Sequence, residues 1–238
     1  GSEMCIRDSY NRTVITVIGE PEDIKQAVVE SIGIARDVID MRVHKGEHLR
    51  MGATDVVPFI PIKDMTMAEC VELSKEVAKE VWEKYQIPIY LYEESATAPN
   101  RVSLPSIRKG EFEGMGEKMK LEEWAPDYGE RAPHPTAGVT AIGGRMPLIA
   151  FNINLDTDNI EIAKNISRAI RFSSGGYRYI QAGPAEIKEK GFVQVTMNIK
   201  DYKKRAYLRL LPDPCMLQNA IDAGFFPAHL IAMQGPFS

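Results

Sequence analysis

The densest run of reactive side chains in the sequence is His44-Lys45-Gly46-Glu47-His48-Leu49-Arg50. Two histidines, a carboxylate and two cations lie within seven residues. Imidazole titrates near neutrality, so either histidine can take up and return a proton at working pH. Lys45 and Arg50 are the types that hold anionic substrate groups, and an arginine fork meets a carboxylate with two parallel hydrogen bonds. Proton transfer on a bound acid is therefore one chemistry open to this stretch. An exposed charged loop is the plain alternative.

The same residues spell H-x-x-E-H, in which two histidines on one helical face bind zinc and the glutamate acts as base. Gly46 would cost such a helix about 1 kcal/mol against alanine. The segment also has no apolar face to dock it, so no metal is expected. Neither G-x-x-x-x-G-K-[ST] nor G-x-G-x-x-G occurs, which removes the common phosphate and dinucleotide loops.

The composition bounds the rest. A chain of 238 residues has room for one large domain or two small ones. Apolar residues make up 44% and charged residues 26%, values of a folded globular protein. Lys+Arg 29 against Asp+Glu 33 leaves a net charge of -4, which argues against a nucleic-acid partner held by bulk charge. No apolar run approaches the roughly 20 residues of a membrane span, so a cytoplasmic protein is expected. Cys5, Cys70 and Cys215 are odd in number and far apart. They fit a reducing compartment better than a disulfide framework or a zinc cluster.

Positioning the reactive run falls to the elements around it. Gly1–Ser9 carries no periodicity. Thr13–Ile18 reads as a buried strand, and Pro21 opens a helix with Ile24, Ala27, Val28, Ala35, Val38 and Ile39 on its apolar face. Met41–Gly52 reads as a loop. Asp55–Ile62 reads as a strand that Pro58 and Pro61 place at an edge or a strand end. Thr66 and Glu69 form a capping box at the head of a helix that runs to Tyr85. A third strand spans Ile87–Tyr92. Glu93–Gly144 is long and rich in proline and glycine, with short helices expected near Leu104–Gly110 and Glu117–Glu123. Such stretches are often functional. Strand Pro147–Leu155, helix Asp158–Phe172, strands Tyr177–Ala182 and Gly191–Ile199, and a helical start at Asp201 complete the pattern. Helix and strand alternate twice, which predicts two α/β sandwiches with a boundary near Gly143–Arg145.

Several ordered motifs match a known family. His44-Lys-Gly-Glu-His48-x-Arg50-Met-Gly52-Ala-x-Asp55-Val-x-Pro58-Phe-Ile-Pro61 resembles the glutamate formiminotransferase (glutamate formimidoyltransferase) family. The resemblance continues through Asn11-Arg-Thr-Val14, Pro88-Ile-Tyr-Leu-Tyr92, Glu123-Trp-Ala-Pro-Asp127-Tyr-Gly129, Leu148–Leu155 and Gln194-Val-Thr-Met-Asn198. It covers about Asn11 to Leu208 and implies that the reactive loop is catalytic.

The resemblance implies transfer of a formimino group from N-formimino-L-glutamate to N5 of tetrahydrofolate, a step of histidine degradation. It implies two ferredoxin-like α/β sandwich subdomains with mixed sheets covered by helices, a substrate tunnel between them, and a homodimer. His48 corresponds to the family's catalytic acid/base. The folate-contacting segment corresponds to Gly129, Glu130, Arg131, Ala132, Pro133, His134, Pro135, Thr136, Ala137 and Gly138. Arg12, Arg50 and Lys45 are candidates for the substrate carboxylates. His44 is expected to support the loop, and His134, between two prolines, to shape its segment. His229 lies outside the match. Tetrahydrofolate is a co-substrate, and neither a metal, a nucleic acid nor a membrane is implied.

Three features depart from the family pattern. Leu49 stands where the family usually has proline. Residues 1–10 look like a non-native leader of adapter type, and the strand, helix and acidic stretch that open the family pattern are missing. Residues 209–238 resemble part of precorrin-6A reductase. The expected organisation is thus a leader over 1–10, incomplete subdomains over 11–144 and 145–208, and a foreign-looking tail over 209–238. An inactive folate-binding fragment is the first alternative, and a zinc peptidase using His44, Glu47 and His48 the second.

Overall fold

The computed structural model describes residues 2–7, 11–46, 49–187 and 191–200. His48, Glu47, the helical start at Asp201 and the tail over 209–238 lie outside the described residues. The fold is α/β, with parallel and antiparallel sheets and covering helices. The chain divides into two compact units, one ending at Arg145 and one beginning at Met146.

The first unit opens with an antiparallel ribbon of β1 (Ser2–Arg7) and β2 (Arg12–Val17). The backbone is thus extended over 2–7, where the sequence shows no periodicity. Residues 13–17, expected to be buried, are exposed. In the described residues β2 pairs with β1 alone, and a two-stranded ribbon has no sheet behind it to cover its apolar side chains.

Helix α1 (Pro21–Val38) buries Val29, Ile32 and Gly33, whereas Val38, placed on its apolar face from the sequence, is exposed. The helix crosses α2 at Gly33. A Cβ there would lie 2.6 Å from the Tyr85 ring, so that close approach selects the buried face. Helix α2 (Met67–Tyr85) begins at the expected capping box: Thr66 Oγ1 accepts from Glu69 N, and Glu69 accepts from Thr66 N at 2.7 Å. Its Cys70, Leu73, Val77, Ala78 and Val81 face the core.

The core sheet of this unit is parallel, in the order β3 (Val56–Phe59), β5 (Thr140–Gly144), β4 (Ile89–Leu91). Pro58 does lie on an edge strand, where its missing N–H removes no ladder bond. The central strand β5 is fully buried and falls within the stretch read as loop. Two glycines in Thr-Ala-Ile-Gly-Gly hide its strand character. Gly143 is required, because a Cβ there would lie 2.2 Å from the Tyr92 carbonyl oxygen.

Between β4 and β5 lie α3 (Leu104–Arg108) and α4 (Glu111–Lys118). Helix α4 starts earlier than Glu117, despite Gly114 and Gly116. Burial of Met115 and a hydrogen bond from Phe112 N to the Arg50 carbonyl (2.9 Å) override weak helix propensity.

The second unit is β6 (Leu148–Leu155), α5 (Ile160–Ile170), β7 (Ile180–Ile187) and β8 (Phe192–Lys200), an antiparallel sheet in the order β6, β8, β7. This β-α-β-β order is what a ferredoxin-like sandwich uses. Strand β7 continues past Ala182 through Gly183 and Pro184, which its edge position tolerates. Among the described residues, the core sheet of the first unit pairs in parallel and that of the second antiparallel.

Candidate functional site

The reactive loop is anchored on both sides of its undescribed residues, Glu47 and His48. On the near side His44 Nε2 lies 3.0 Å from the Asn11 carbonyl oxygen, and the Asn11 amide donates to the Lys45 carbonyl. His44 thus joins the loop to Asn11. Residues 44–46 are not helical.

On the far side Arg50 is nine-tenths buried. Its Nη1 and Nη2 donate to the two Glu113 oxygens at 3.0 and 2.8 Å, and Nη2 and Nε donate to the His44 carbonyl at 2.9 and 3.2 Å. Glu111 Oε2 lies 3.5 Å from Nη1. The fork of Arg50, a candidate for a substrate carboxylate, here holds α4 and the loop itself. Lys45 reaches the same Glu113 at 2.7 Å, but its side chain is 68% exposed. The hydrogen bonds from Arg50 first, then from Lys45, hold the Glu113 carboxyl far below the usual range.

Beyond Arg50 the chain turns on Asp55. Its Oδ1 accepts from Met51 N at 2.9 Å, and its Oδ2 accepts from the Arg108 guanidinium. A groove of about 460 Å³ opens between Leu49 and the α3–α4 turn, with Arg108 and Lys109 on its wall.

The second candidate stretch is locked onto the first. Gly52 and Gly138 form an antiparallel bridge. Val139 N donates to the Met51 carbonyl at 3.1 Å, Ala53 N to the Ala137 carbonyl at 2.9 Å, and Met41 N to the Thr136 carbonyl at 2.8 Å. The backbones touch closely enough that a Cβ on Gly52 would lie 2.1 Å from the Val139 oxygen, and one on Gly138 2.2 Å from the Met51 oxygen. Gly138 is also left-handed, at φ +70°. Within this stretch His134 is partly buried and folds back on its own turn, while Arg131 forms an exposed pair with Glu122 at 2.7 Å. Gly129 takes φ +109°, with Trp82 and Pro88 against it.

Upstream, Glu123-Trp-Ala-Pro-Asp127 is pinned from inside. Asp127 Oδ1 lies 2.7 Å from Arg101 Nη1, with side chains only 7% and 9% exposed. Asp127 Oδ2 accepts from Leu91 N at 2.7 Å, and Arg101 also donates to the Ala125 carbonyl. The Tyr90 hydroxyl donates to the Trp124 carbonyl at 2.6 Å, and burial pushes its phenol pKa up. Lys118 Nζ donates to the Ser106 and Ile107 carbonyls at 2.6 and 2.7 Å and sits 3.8 Å over the Trp124 ring. Burial, with Lys109 nearby, pushes its pKa down to about 8. Arg12 is half-buried on β2.

A model of the formiminotransferase domain, N-terminal subdomain, matches residues 5–145, the unit that contains all these contacts. The chain is 53% identical over 201 residues to a glutamate formimidoyltransferase of Streptococcus pyogenes serotype M1, covering 84% of this chain and 67% of that one. It is 41% identical over 203 residues to the protein of that name from Thermoplasma acidophilum, with 84% and 67% covered. The chain belongs to the formiminotransferase family. It is an enzyme of that family, a transferase. A formimidoyltransferase-cyclodeaminase of Sus scrofa aligns at 39% over 231 residues, covering 94% of this chain and 42% of its own. That alignment must run past Leu208, and the tail's likeness to precorrin-6A reductase finds no support. No helix among the described residues is long and apolar enough to cross a membrane.

Within this family fold, reading the sequence missed Glu113 and Arg101. Each binds residues far along the chain, Glu113 to Arg50 63 positions away, and no local spacing marks such a pair. The signal available for Arg101 was a charged residue in an otherwise weakly patterned stretch.

Proposed function

We propose that this chain transfers the formimino group of N-formimino-L-glutamate to N5 of tetrahydrofolate, a step of histidine degradation. The observation that carries this reading is the hydrogen-bonded seam between Met51–Ala53 and Ala137–Val139. Its two strands of backbone, far apart in sequence, adjoin the H-K-G-E-H motif on one side and the segment read as folate-contacting on the other, which supports this reading. The names of the relatives supply the reaction class.

In this reading N5 attacks the formimino carbon and forms a tetrahedral intermediate. The bond from that carbon to the glutamate nitrogen then breaks. N5 loses a proton and the departing nitrogen gains one, and His48 carries both transfers. A positioned acid/base is worth about 10²–10⁴-fold. Holding two substrates together supplies much of the remainder. Residues 129–138 contact the folate.

The carboxylate partners divide by their present commitments. Arg50 has acceptors in this chain on every side, so we assign it the bracing of the loop. The Lys45–Glu113 pair is exposed, and such pairs contribute about 0–1 kcal/mol. Lys45 therefore exchanges Glu113 for a substrate carboxylate at little cost, and Arg12 is the second cation of this role. A cytoplasmic homodimer without nucleic-acid or membrane partners is the setting. The zinc-peptidase alternative needs a helix from His44 to His48, and residues 44–46 are non-helical.

The test is turnover of N-formimino-L-glutamate with tetrahydrofolate by the chain and by His48→Ala. The variant is expected to lose at least about 10²-fold in kcat while still binding folate. Unchanged turnover removes His48 from the mechanism. Folate binding without turnover by the unsubstituted chain selects the inactive-fragment alternative.

A further inference from the structure

The turn at residues 134–138 depends on one protonation state. His134 Nδ1 lies 3.0 Å from the backbone nitrogen of Ala137 and 3.3 Å from that of Thr136. Both are N–H donors, so Nδ1 must accept, and the ring is neutral with its proton on Nε2. His134 N and Gly138 N each donate to the other's carbonyl at 2.9 Å and close the same turn. The carbonyls of Thr136 and Ala137 then accept from Met41 and Ala53. One imidazole nitrogen therefore organises Thr136 and Ala137, two of the residues through which the 129–138 segment holds the stretch around the reactive motif.

A doubly protonated ring would aim an N–H at two N–H donors. The arrangement then loses its acceptor and gains a repulsion. Burial, and then the charge of Arg36 on α1, hold the His134 pKa below its ordinary 6.5. Among the described residues, the Arg36 guanidinium is the charged group that acts on the ring.

We propose that His134 is a positioning residue: as a neutral acceptor it sets the 134–138 turn against Met51–Ala53, and its protonation releases that turn and weakens ligand binding there. The identity of the ligand, tetrahydrofolate, rests on the functional reading above. The state of the turn does not.

Two measurements on the full chain test this. The first is hydrogen-exchange protection of the Thr136 and Ala137 amides at pH 7.5 and at pH 4.5, well below the ordinary histidine value. Protection is expected to fall on the order of ten-fold at the lower pH, the usual consequence of removing an acceptor from a partly buried donor. Unchanged protection overturns the proposal. The second is the KM for tetrahydrofolate in His134→Leu and His134→Asn. The leucine variant has no acceptor and is expected to raise KM about ten-fold with a smaller change in kcat. Asparagine can accept from backbone amides two residues on, so it should restore KM to within about three-fold and remove its rise toward acid pH. An asparagine variant with the unsubstituted pH profile, or a leucine variant with unchanged KM, overturns it. If His134→Leu does not fold, the asparagine variant and the exchange measurement decide. If the unsubstituted chain neither transfers nor binds folate, the functional reading falls, and exchange alone decides the turn.

Discussion

The two compact units are built on different terms. In the second, Val193, Val195, Met197 and Ile199 alternate along β8 and pack with Ala163 and Ile170 of α5 and with Ile180 of β7. The buried polar side chain described there is Ser167. The first unit buries Arg50, Ser74, Ser95, Arg101 and Thr140. The difference follows from its long connections. Strands and helices satisfy their own amides and carbonyls, while irregular backbone taken inside needs side chains to do so. Arg50 serves the His44 carbonyl, Arg101 the Ala125 carbonyl, Asp127 the Leu91 amide, and Lys118 the α3 carbonyls. Charge in this unit holds the loops that carry the candidate site.

The largest break in that contrast is Asp127→Ala. It leaves the Arg101 guanidinium buried without its carboxylate and strands the Leu91 amide. Removing one partner of a buried pair costs about 3–5 kcal/mol. Trp82 and Trp124, the chain's two tryptophans, both lie in the first unit, so urea unfolding followed by tryptophan fluorescence reads that unit alone. A drop of that size is expected there. A loss below about 1 kcal/mol would mean that the loops are held by packing and not by charge.

That charge network is also what the sequence conceals. The capping box at Thr66 was legible because both of its hydrogen bonds close within three residues. Strands β6 and β8 were legible from uninterrupted apolar patterning. The motifs around His44–Arg50 and Glu123–Asp127 stood out by residue type. Their internal partners did not, because Glu113 and Arg101 meet them only after the chain has folded back. Strand β5 was hidden for a related reason. Its glycines answer to the Tyr92 backbone and the α2 side chains, and those neighbours have no trace in local propensity. Arg50 and Lys45 look alike as cations in the sequence, and only burial separates the enclosed Arg50 fork from the exposed Lys45 ammonium.

The next break is acid. Glu113 has its folded-state pKa depressed by Arg50 and Lys45 from an ordinary value of 4.5. The unfolded chain therefore binds its proton first as pH falls. The stabilisation from Glu113 is complete above about pH 4.5 and is lost progressively below it. Glu113→Gln should be less stable than the unsubstituted chain at neutral pH. It should also lose less between about pH 5 and pH 3 in the same fluorescence-detected unfolding. Because Glu113 is half exposed, solvent screening keeps the effect below that of Asp127→Ala. Parallel acid limbs for the two chains would remove Glu113 from the network.

The smallest break sharpens the comparison by leaving charge out of it. Each unit has a helix with a side-chain cap: Thr66 for α2 in the first, and Asn159, whose Oδ1 accepts from Glu161 N at 3.0 Å, for α5 in the second. Replacing such a cap with alanine typically costs about 1 kcal/mol. Thr66→Ala and Asn159→Ala should therefore cost about the same, the first read by tryptophan fluorescence and the second by exchange of the α5 amides. Thr66→Ser should keep its stability, since the accepting oxygen stays. Equal costs would confine the difference between the units to their buried charges. A cap worth several-fold more in one unit would instead mean that its helix is held more weakly by packing, and the contrast would then lie in how tightly each core is filled.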